Sequence, residues 1–454
     1  MKNVVKEEVK ETKEILGRIK NKDFSGNSGQ AIKNSGYQLS TTLIAKIGSL
    51  LFTIIIARLM LPELYGLYGL ALSTILLLSV FGDMGINSAM MTFLSKNIDK
   101  NPGKAQGYFR YLTKIKILLS FVSIALIVFI GKWLAASYYQ KPIYYALLAG
   151  VIYFPVSTFQ NYLSSLFTSK NNFKPLLLKE ILFQGLRITL IPLLIIFYLS
   201  RVTSREVYLF WTFITLAFCY AVALVYILHK IKKEKPFQQS ATINLSKKEK
   251  LELKRFILPL TVTALSGVFF GYIDQIMLGH YVQSEFIGFY QASFNLVASA
   301  AVIVSFSGAA MFPIFARLKG ARLDRGFRKV RNMTTLLSIL AVIFTFILAP
   351  IIIKLIYGPA YVAATIYLQT FSVLIISFPL IALYSAYYTS QKRTKIISVL
   401  LIFSTTLNII LNYIFINIGL SFSMSYAVMG ACVATVISRY SYLGGLVMFR
   451  RWKK

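Results

Sequence analysis

Twelve apolar windows recur along the chain, each about 20 residues or longer, which is the length a helix needs to cross a hydrocarbon layer about 30 Å thick. They fall near 37–60, 66–93, 109–135, 143–168, 175–199 and 206–229, and then near 254–279, 285–314, 332–357, 362–389, 394–418 and 424–449. The expected fold is an all-α integral membrane protein. Its twelve transmembrane helices form two six-helix, parallel-repeat bundles around a central cleft.

Composition agrees with lipid as the solvent, because 56% of the 454 residues are hydrophobic and only 14% are charged. The net charge of +33 is spread through short loops rather than gathered in one basic domain, so nucleic acid is not an expected partner. Cys219 and Cys432 lie in apolar runs and read as packing residues, with no disulfide implied. His229 and His280 stand apart from any third ligand type, so no metal site is expected.

Charge placement sets the expected topology. Residues 1–36 are polar and lack a cleavable basic-then-apolar leader, so they read as a cytoplasmic segment. Val5, Val9, Leu16 and Ile19 fall near one helical face there, on a charged solvated helix or one lying on the membrane surface. The loops after even-numbered spans then hold Lys96, Lys100, Lys104, Lys170, Lys232, Lys233, Arg317, Arg322, Arg325, Lys392 and Arg393. The alternate loops carry mainly Arg58, Lys132, Lys141, Arg201, Arg205 and Lys354, as the positive-inside rule requires for a cell-membrane protein with both termini cytoplasmic. The expected units are therefore a bundle at 37–229, a cytoplasmic linker at 230–253, a second bundle at 254–449 and a basic tail at 450–454.

The two bundles are related in sequence. PELYGLYGLAL at 62–72 matches SEFIGFYQASF at 284–294, pairing Glu63, Gly66 and Tyr68 with Glu285, Gly288 and Tyr290 at a spacing of 222. TSKNNFK at 168–174 matches TSQKRTK at 389–395 at a spacing of 221. An even number of spans per half gives both halves the same orientation, with a substrate cleft expected between them.

The stretch ARLMLPELYGLYGLAL, with FGDMGINSAM after it, resembles the start of the polysaccharide-transporter branch of the multidrug/oligosaccharidyl-lipid/polysaccharide exporter superfamily. The run TTLNIILNYIFINIGLSFSMSYAVMGACVATVISRY is similar to that family's last two helices, with Asn408, Asn412, Gly430, Ala431, Ala434 and Thr435 at recognisable places. The resemblance covers essentially the whole chain. Its motifs are apolar and mostly structural, so it speaks for the family more than for a substrate.

Ionisable residues inside spans are costly and need a cavity, a partner or an escape to the interface. Lys46, Arg187 and Arg439 lie nine to twelve residues from the cytoplasmic ends of spans one, five and twelve, roughly 14 to 18 Å deep at 1.5 Å per residue. Thr42, Lys46, Ser49 and Thr53 share a face of span one; Ser157, Asn161, Ser164 and Thr168 share one of span four. Glu180, Gln184 and Arg187 line up on span five, Gln291, Asn295 and Ser299 on span eight, and Thr405, Asn408 and Asn412 on span eleven. Such stripes are expected around a wet cavity, and the competing reading is helix packing through small polar residues. Snorkelling competes for Lys46 and Arg439, and a salt bridge to Glu180 competes for Arg187. Asp274, on a face with Thr263, Gly267 and Gly271 in the outer part of span seven, is the ion-coupling candidate or a partner for a cation in the other half. Asp83 reads as an interface or loop contact.

The expected substrate-binding set is Lys46, Arg187, Arg439, Asn161, Gln184, Gln291, Asn295, Asn408 and Asn412, with no catalytic residue and no metal. Deep cations suit the phosphates of a lipid-linked oligosaccharide and the polar stripes suit its sugars. The expected function is a flippase for that substrate, not an enzyme, with no cofactor beyond a proton or sodium ion as the candidate coupling ion. Expected partners are membrane lipids and glycosyltransferases or a polymerase of the same pathway. The alternative is a cation-coupled multidrug or metabolite exporter, which should hold carboxylates in its cavity. A membrane glycosyltransferase fits less well, since that class needs acid/base or metal-binding carboxylates and usually substantial extramembrane loops, whereas the outer loops here are only a few residues long.

Overall fold

The computed structural model describes residues 26–198, 201, 204–237, 243–309 and 320–451. The surface-helix expectation for Val5 to Ile19, the loop residue Arg317 and the last three residues of the basic tail lie outside them. Among the described residues every regular element is helical.

The chain enters through α1 (Gly26–Ser79), which is broken at Leu61, with φ 59° and ψ 171°. Pro62 follows, and its ring disfavours the α conformation for the residue before it, so one continuous apolar run becomes two passes meeting at a hairpin. The second pass stops again at a 3₁₀ turn, Val80–Gly82, and resumes as α2 (Ile86–Asn97). Next come α3 (Pro102–Trp133), α4 (Tyr144–Ser169), α5 (Lys174–Phe197) and α6 (Arg205–Glu234). The second half contains α7 (Lys247–Tyr281), α8 (Ser284–Ala309), α9 (Gly320–Ile356), α10 (Thr365–Ser372), α11 (Leu374–Ser390), α12 (Thr394–Leu420) and α13 (Met424–Arg451).

Nine helices among the described residues are long and apolar enough to cross a membrane, or ten if the pair bent by 44° at Leu374 is one span. The first of these is broken at Leu61, and the 26-residue α4 is long enough to cross but is not among them. Counting both sides of that break, and α4, matches the twelve windows read from the sequence. The boundaries shift at two places: α1 begins at Gly26, well before residue 37, and α6 and α7 run into the segment read as linker.

The repeat is visible in three dimensions. Asn171 and Lys392 both have left-handed backbones, with φ 53° and 58°. The surrounding bonds match as well, since Asn171 N donates to Thr168 O, Asn172 N to Phe167 O, Lys392 N to Thr389 O and Arg393 N to Tyr388 O. The hairpin motif does more than repeat, because its two copies meet. A Cβ at Gly66 would fall on the Ser284 carbonyl, one at Gly288 on the Pro62 carbonyl, and one at Gly69 on the Gln291 amide. Gly66 with Gly288 and Gly69 with Gln291 are equivalent pairs at a spacing of 222. The pseudo-twofold axis therefore passes between them, and only glycine lets the backbones come so close.

Around this crossing the halves are bonded to one another. Arg58 donates Nε to the Ile356 carbonyl at 2.6 Å and Nη2 to that of Leu355, capping the free carbonyls at the end of α9. Tyr361 OH donates to Ala57 O at 2.8 Å, and Lys141 Nζ donates to Gly279 O at 2.6 Å. All of these lie at the end of the bundle opposite the basic loops. Toward the basic face, α7 belongs partly to the first half: Leu253 sits in a core cluster with Phe93 and Tyr108, and Lys104 pairs with Glu249 at 2.5 Å. Elsewhere on that side, Thr42, Lys46 and Ser49 of α1 and Leu258 and Val262 of α7 are exposed.

Candidate functional site

Between the halves lies a cavity of about 510 Å³. α1 lines it with Ser49, Thr53, Tyr65 and Tyr68, α5 with Arg187, α7 with Gly271 and Gln275, α8 with Gln291 and Asn295, and α13 with Arg439. Arg187 and Arg439 thus come from opposite halves onto one cavity. Among the described residues its lining contains no carboxylate.

Each arginine is held by hydrogen bonds and ring faces rather than by an ion pair, although the Asp274 carboxylate lies within electrostatic reach of Arg439. Arg187 donates Nη2 to Gln184 Oε1 at 2.7 Å and lies over the rings of Phe52 and Phe183, 4.3 and 5.1 Å from their centroids. Arg439 donates Nη2 to the Phe270 carbonyl at 2.6 Å and lies 3.7 Å over the Phe270 ring. Ring faces attract the guanidinium without consuming its donors. The Nε of both arginines is buried with no hydrogen-bond acceptor among the described residues. Neither is in an ion pair among those residues. The competing reading, a bridge from Arg187 to Glu180, gives way to a relay, in which Glu180 pairs with Lys179 at 2.8 Å and accepts from Gln184 Nε2 at 2.7 Å. Gln184 then stands between the carboxylate and Arg187.

A second cavity, of about 490 Å³, adjoins the first through Ser49, Thr53 and Asn295, and is lined on the other side by Lys46, Ser299 and several apolar residues. The other predicted residues divide. Gln291 lines the central cavity with its Oε1 buried and without a donor among the described residues. Asn408 and Asn412 do not reach it; they are buried inside the second bundle, where Asn408 Nδ2 donates to Ser438 Oγ at 3.1 Å. Asn161 is exposed on α4 and is not among the central lining residues, which corrects the reading of that stripe.

Asp274 also turns away from the cavity that Gly267 and Gly271 line, into the second bundle. Its carboxylate accepts from Asn412 Nδ2 at 2.5 Å and from Tyr290 OH and Thr435 Oγ1 at 2.9 Å each. These bonded partners all belong to its own half, so the reading of Asp274 as partner to a cation in the other half does not hold. Asp83 is a loop contact as expected, at the break in the second pass. Its partner, at 2.9 Å, is Lys116, a fully buried lysine of α3 that the depth argument passed over. Tyr65, Tyr68, Tyr272 and Gln275 are further lining residues missed in the sequence, although Tyr68 stands in the repeated motif.

A chain with two like-oriented helical bundles and a polar cavity at their junction is a membrane transporter. Residues 31–319 match the family described as polysaccharide biosynthesis protein, and 259–414 match the MatE family. The chain belongs to the polysaccharide biosynthesis protein family of the multidrug/oligosaccharidyl-lipid/polysaccharide exporter superfamily. It is 24% identical over 434 residues to an uncharacterized membrane protein of Methanocaldococcus jannaschii, covering 93% of this chain and 98% of that one. The fold is similar to that of the lipid II flippase MurJ in an inward closed conformation, with a TM-score of 0.68, 16% identity and coverage of 90% of this chain and 86% of that one. An inward-facing multidrug resistance MATE transporter matches at a TM-score of 0.67, with 14% identity and coverage of 90% and 95%.

Proposed function

We propose that the protein is a flippase carrying polyprenyl-(di)phosphate-linked oligosaccharide from the cytoplasmic to the outer leaflet of the cell membrane by alternating access. The observation that carries this reading is the pair Arg187 and Arg439, one from each half, facing one cavity that has no carboxylate among its described lining residues. A diphosphate bound there would hold both halves through charge-assisted bonds, whereas a cationic drug would meet like charge. The family description and the printed activity of MurJ agree with a lipid-linked substrate. Lys46, in the adjoining cavity, extends the cationic track, and glycosyltransferases or a polymerase of the same pathway would supply and take up the lipid. An inside-negative potential favours export of two negative charges by about 4 to 5 kcal/mol per 100 mV.

The test is translocation of a fluorescent polyprenyl-diphosphate oligosaccharide in proteoliposomes. Movement of that lipid supports the reading. Export of a small organic cation with no lipid movement would replace it with the multidrug-exporter alternative.

Asp274 is the candidate for coupling to a proton or sodium ion. The side-chain oxygens Asn408 Oδ1 and Asn412 Oδ1 are buried without donors among the described residues, and Asn412 touches the Asp274 carboxylate. Hard oxygen donors of this kind suit a small cation. Asp274→Asn is expected to lower transport about tenfold, the cost of roughly 1.4 kcal/mol, and to remove any sodium-dependent rise in Tm. If sodium and pH affect neither the native protein nor the variant, Asp274 only ties α7, α8, α12 and α13 together.

A further inference from the structure

Beyond the basic end of the bundle, a third cavity, of about 600 Å³, lies between the start of α1 and the loops that follow the second and fourth passes. Its wall is built from Gln30, Asn34 and Gln38 of α1 with Asp99, Asn171 and Phe173 of the loops. The three α1 residues are spaced by four, on one slowly winding stripe. None of these amide or carboxylate side chains has a hydrogen-bond partner among the described residues, so their donors and acceptors face the cavity and water.

The chemistry of this wall differs from that of the central cavity. Its lining holds one charge of each sign, Asp99 and Lys170, where the central cavity holds two arginines and, among its described lining residues, no carboxylate. Primary amides and a carboxylate offer paired donors and acceptors at short range, and an aromatic ring supplies an apolar face. A neutral polyhydroxylated ligand fits both. The pseudo-equivalent turn of the other half has Gln391, Lys392 and Arg393 where this one has Lys170, Asn171 and Asn172, so the turn in the first half carries one cation fewer.

The stripe continues. From Gln38 it passes through Thr42 to Lys46, Ser49 and Thr53, which line the two inner cavities. Gln38 and Ser49 are eleven residues apart, roughly 16 Å along a helix, which spaces this wall from the arginines by the length of a short glycan. We propose that this cavity binds the non-reducing end of the oligosaccharide while Arg187 and Arg439 hold the diphosphate. This inference rests on the flippase reading and adds to it a selection for glycan length at a place remote from the charge.

Two measurements test it on the full chain in lipid. In proteoliposomes, N34A/Q38A is compared with the native protein on polyprenyl diphosphate bearing either one N-acetylhexosamine or a neutral tetrasaccharide. The tetrasaccharide lipid should move at least tenfold more slowly in the variant and the monosaccharide lipid within twofold of native. Equal losses on both lipids, or none on either, overturn the proposal. Binding is read separately by a solvatochromic dye on S35C, a position in the wall of the same cavity, in nanodiscs, where Cys219 and Cys432 are buried and do not compete for label. A shift with the tetrasaccharide lipid and none with the monosaccharide lipid supports the site even if the native protein flips nothing, an outcome that would sink only the flippase reading. No shift with either lipid overturns the site.

Discussion

Arg187→Ala and Arg439→Ala are each expected to weaken capture of a polyprenyl-diphosphate sugar about 10- to 100-fold, and together to bring translocation below about a thousandth of native. The magnitude follows from the donors lost. A hydrogen bond to a charged group contributes about 1.5 to 3 kcal/mol, and 1.4 kcal/mol is tenfold in affinity. Each guanidinium spends one donor on a neighbour, Gln184 Oε1 or the Phe270 carbonyl. Its Nε is buried without an acceptor among the described residues. Such a group already bears its desolvation cost, so a phosphate that meets it gains most of the bond. Because the arginines belong to different halves, each single variant should retain binding to one half and lose the link between them. Arg→Lys at either position should recover only part, since an ammonium keeps the charge but not the planar pair of donors. Transport within threefold of native in a folded double alanine variant would remove the arginines from substrate recognition.

Much of this arrangement is legible in the sequence, for identifiable reasons. Span positions follow from apolar length, and burial in lipid makes that length nearly a measurement. Arg187 and Arg439 emerged from depth alone, because a cation midway along a span has few solutions. Their convergence did not, since which neighbour a helix face meets is decided by packing between halves. The stripe at Asn161 shows the limit of periodicity. Ser157 donates to Phe154 O at 2.9 Å, Ser164 to Gln160 O at 2.7 Å and Thr168 to Ser164 O at 3.4 Å. These hydroxyls are satisfied by their own helix, so the same pattern arises with no cavity in front of it. Asn408 and Asn412, expected around the cavity, lie buried inside the second bundle, because a polar stripe points equally well into its own bundle. The breaks after Ser79 and before Leu374 were missed because both sit inside uninterrupted apolar runs. FGDMG was the local signal for the first, and Lys116, which completes it, lies 33 residues further on.

Gly66 and Gly288 carry the other large expectation. Their equivalent positions in the repeat mean that each half presents the same notch, and the two notches close on each other at the end of the bundle away from the basic loops. A methyl group at either would fall on backbone, at Ser284 or Pro62, and backbone cannot rotate aside as a side chain can. Overpacking of this kind costs about 1 to 3 kcal/mol, and both substitutions act on one contact, so G66A/G288A should shift the closed-to-open ratio at this face by at least tenfold. The Arg58 and Tyr361 bonds across the same seam lengthen with it. The reporter is T53C in the wall of the central cavity, treated in oriented vesicles with an impermeant maleimide on the side of the short loops. Labelling should accelerate about tenfold in the alanine pair. Transport should fall by a similar factor, because a carrier that cannot seal one face cannot hold the other open to load. Unchanged labelling in a folded G66A/G288A protein would mean that the glycine crossing is a packing contact inside one rigid unit, and that the halves move about some other seam.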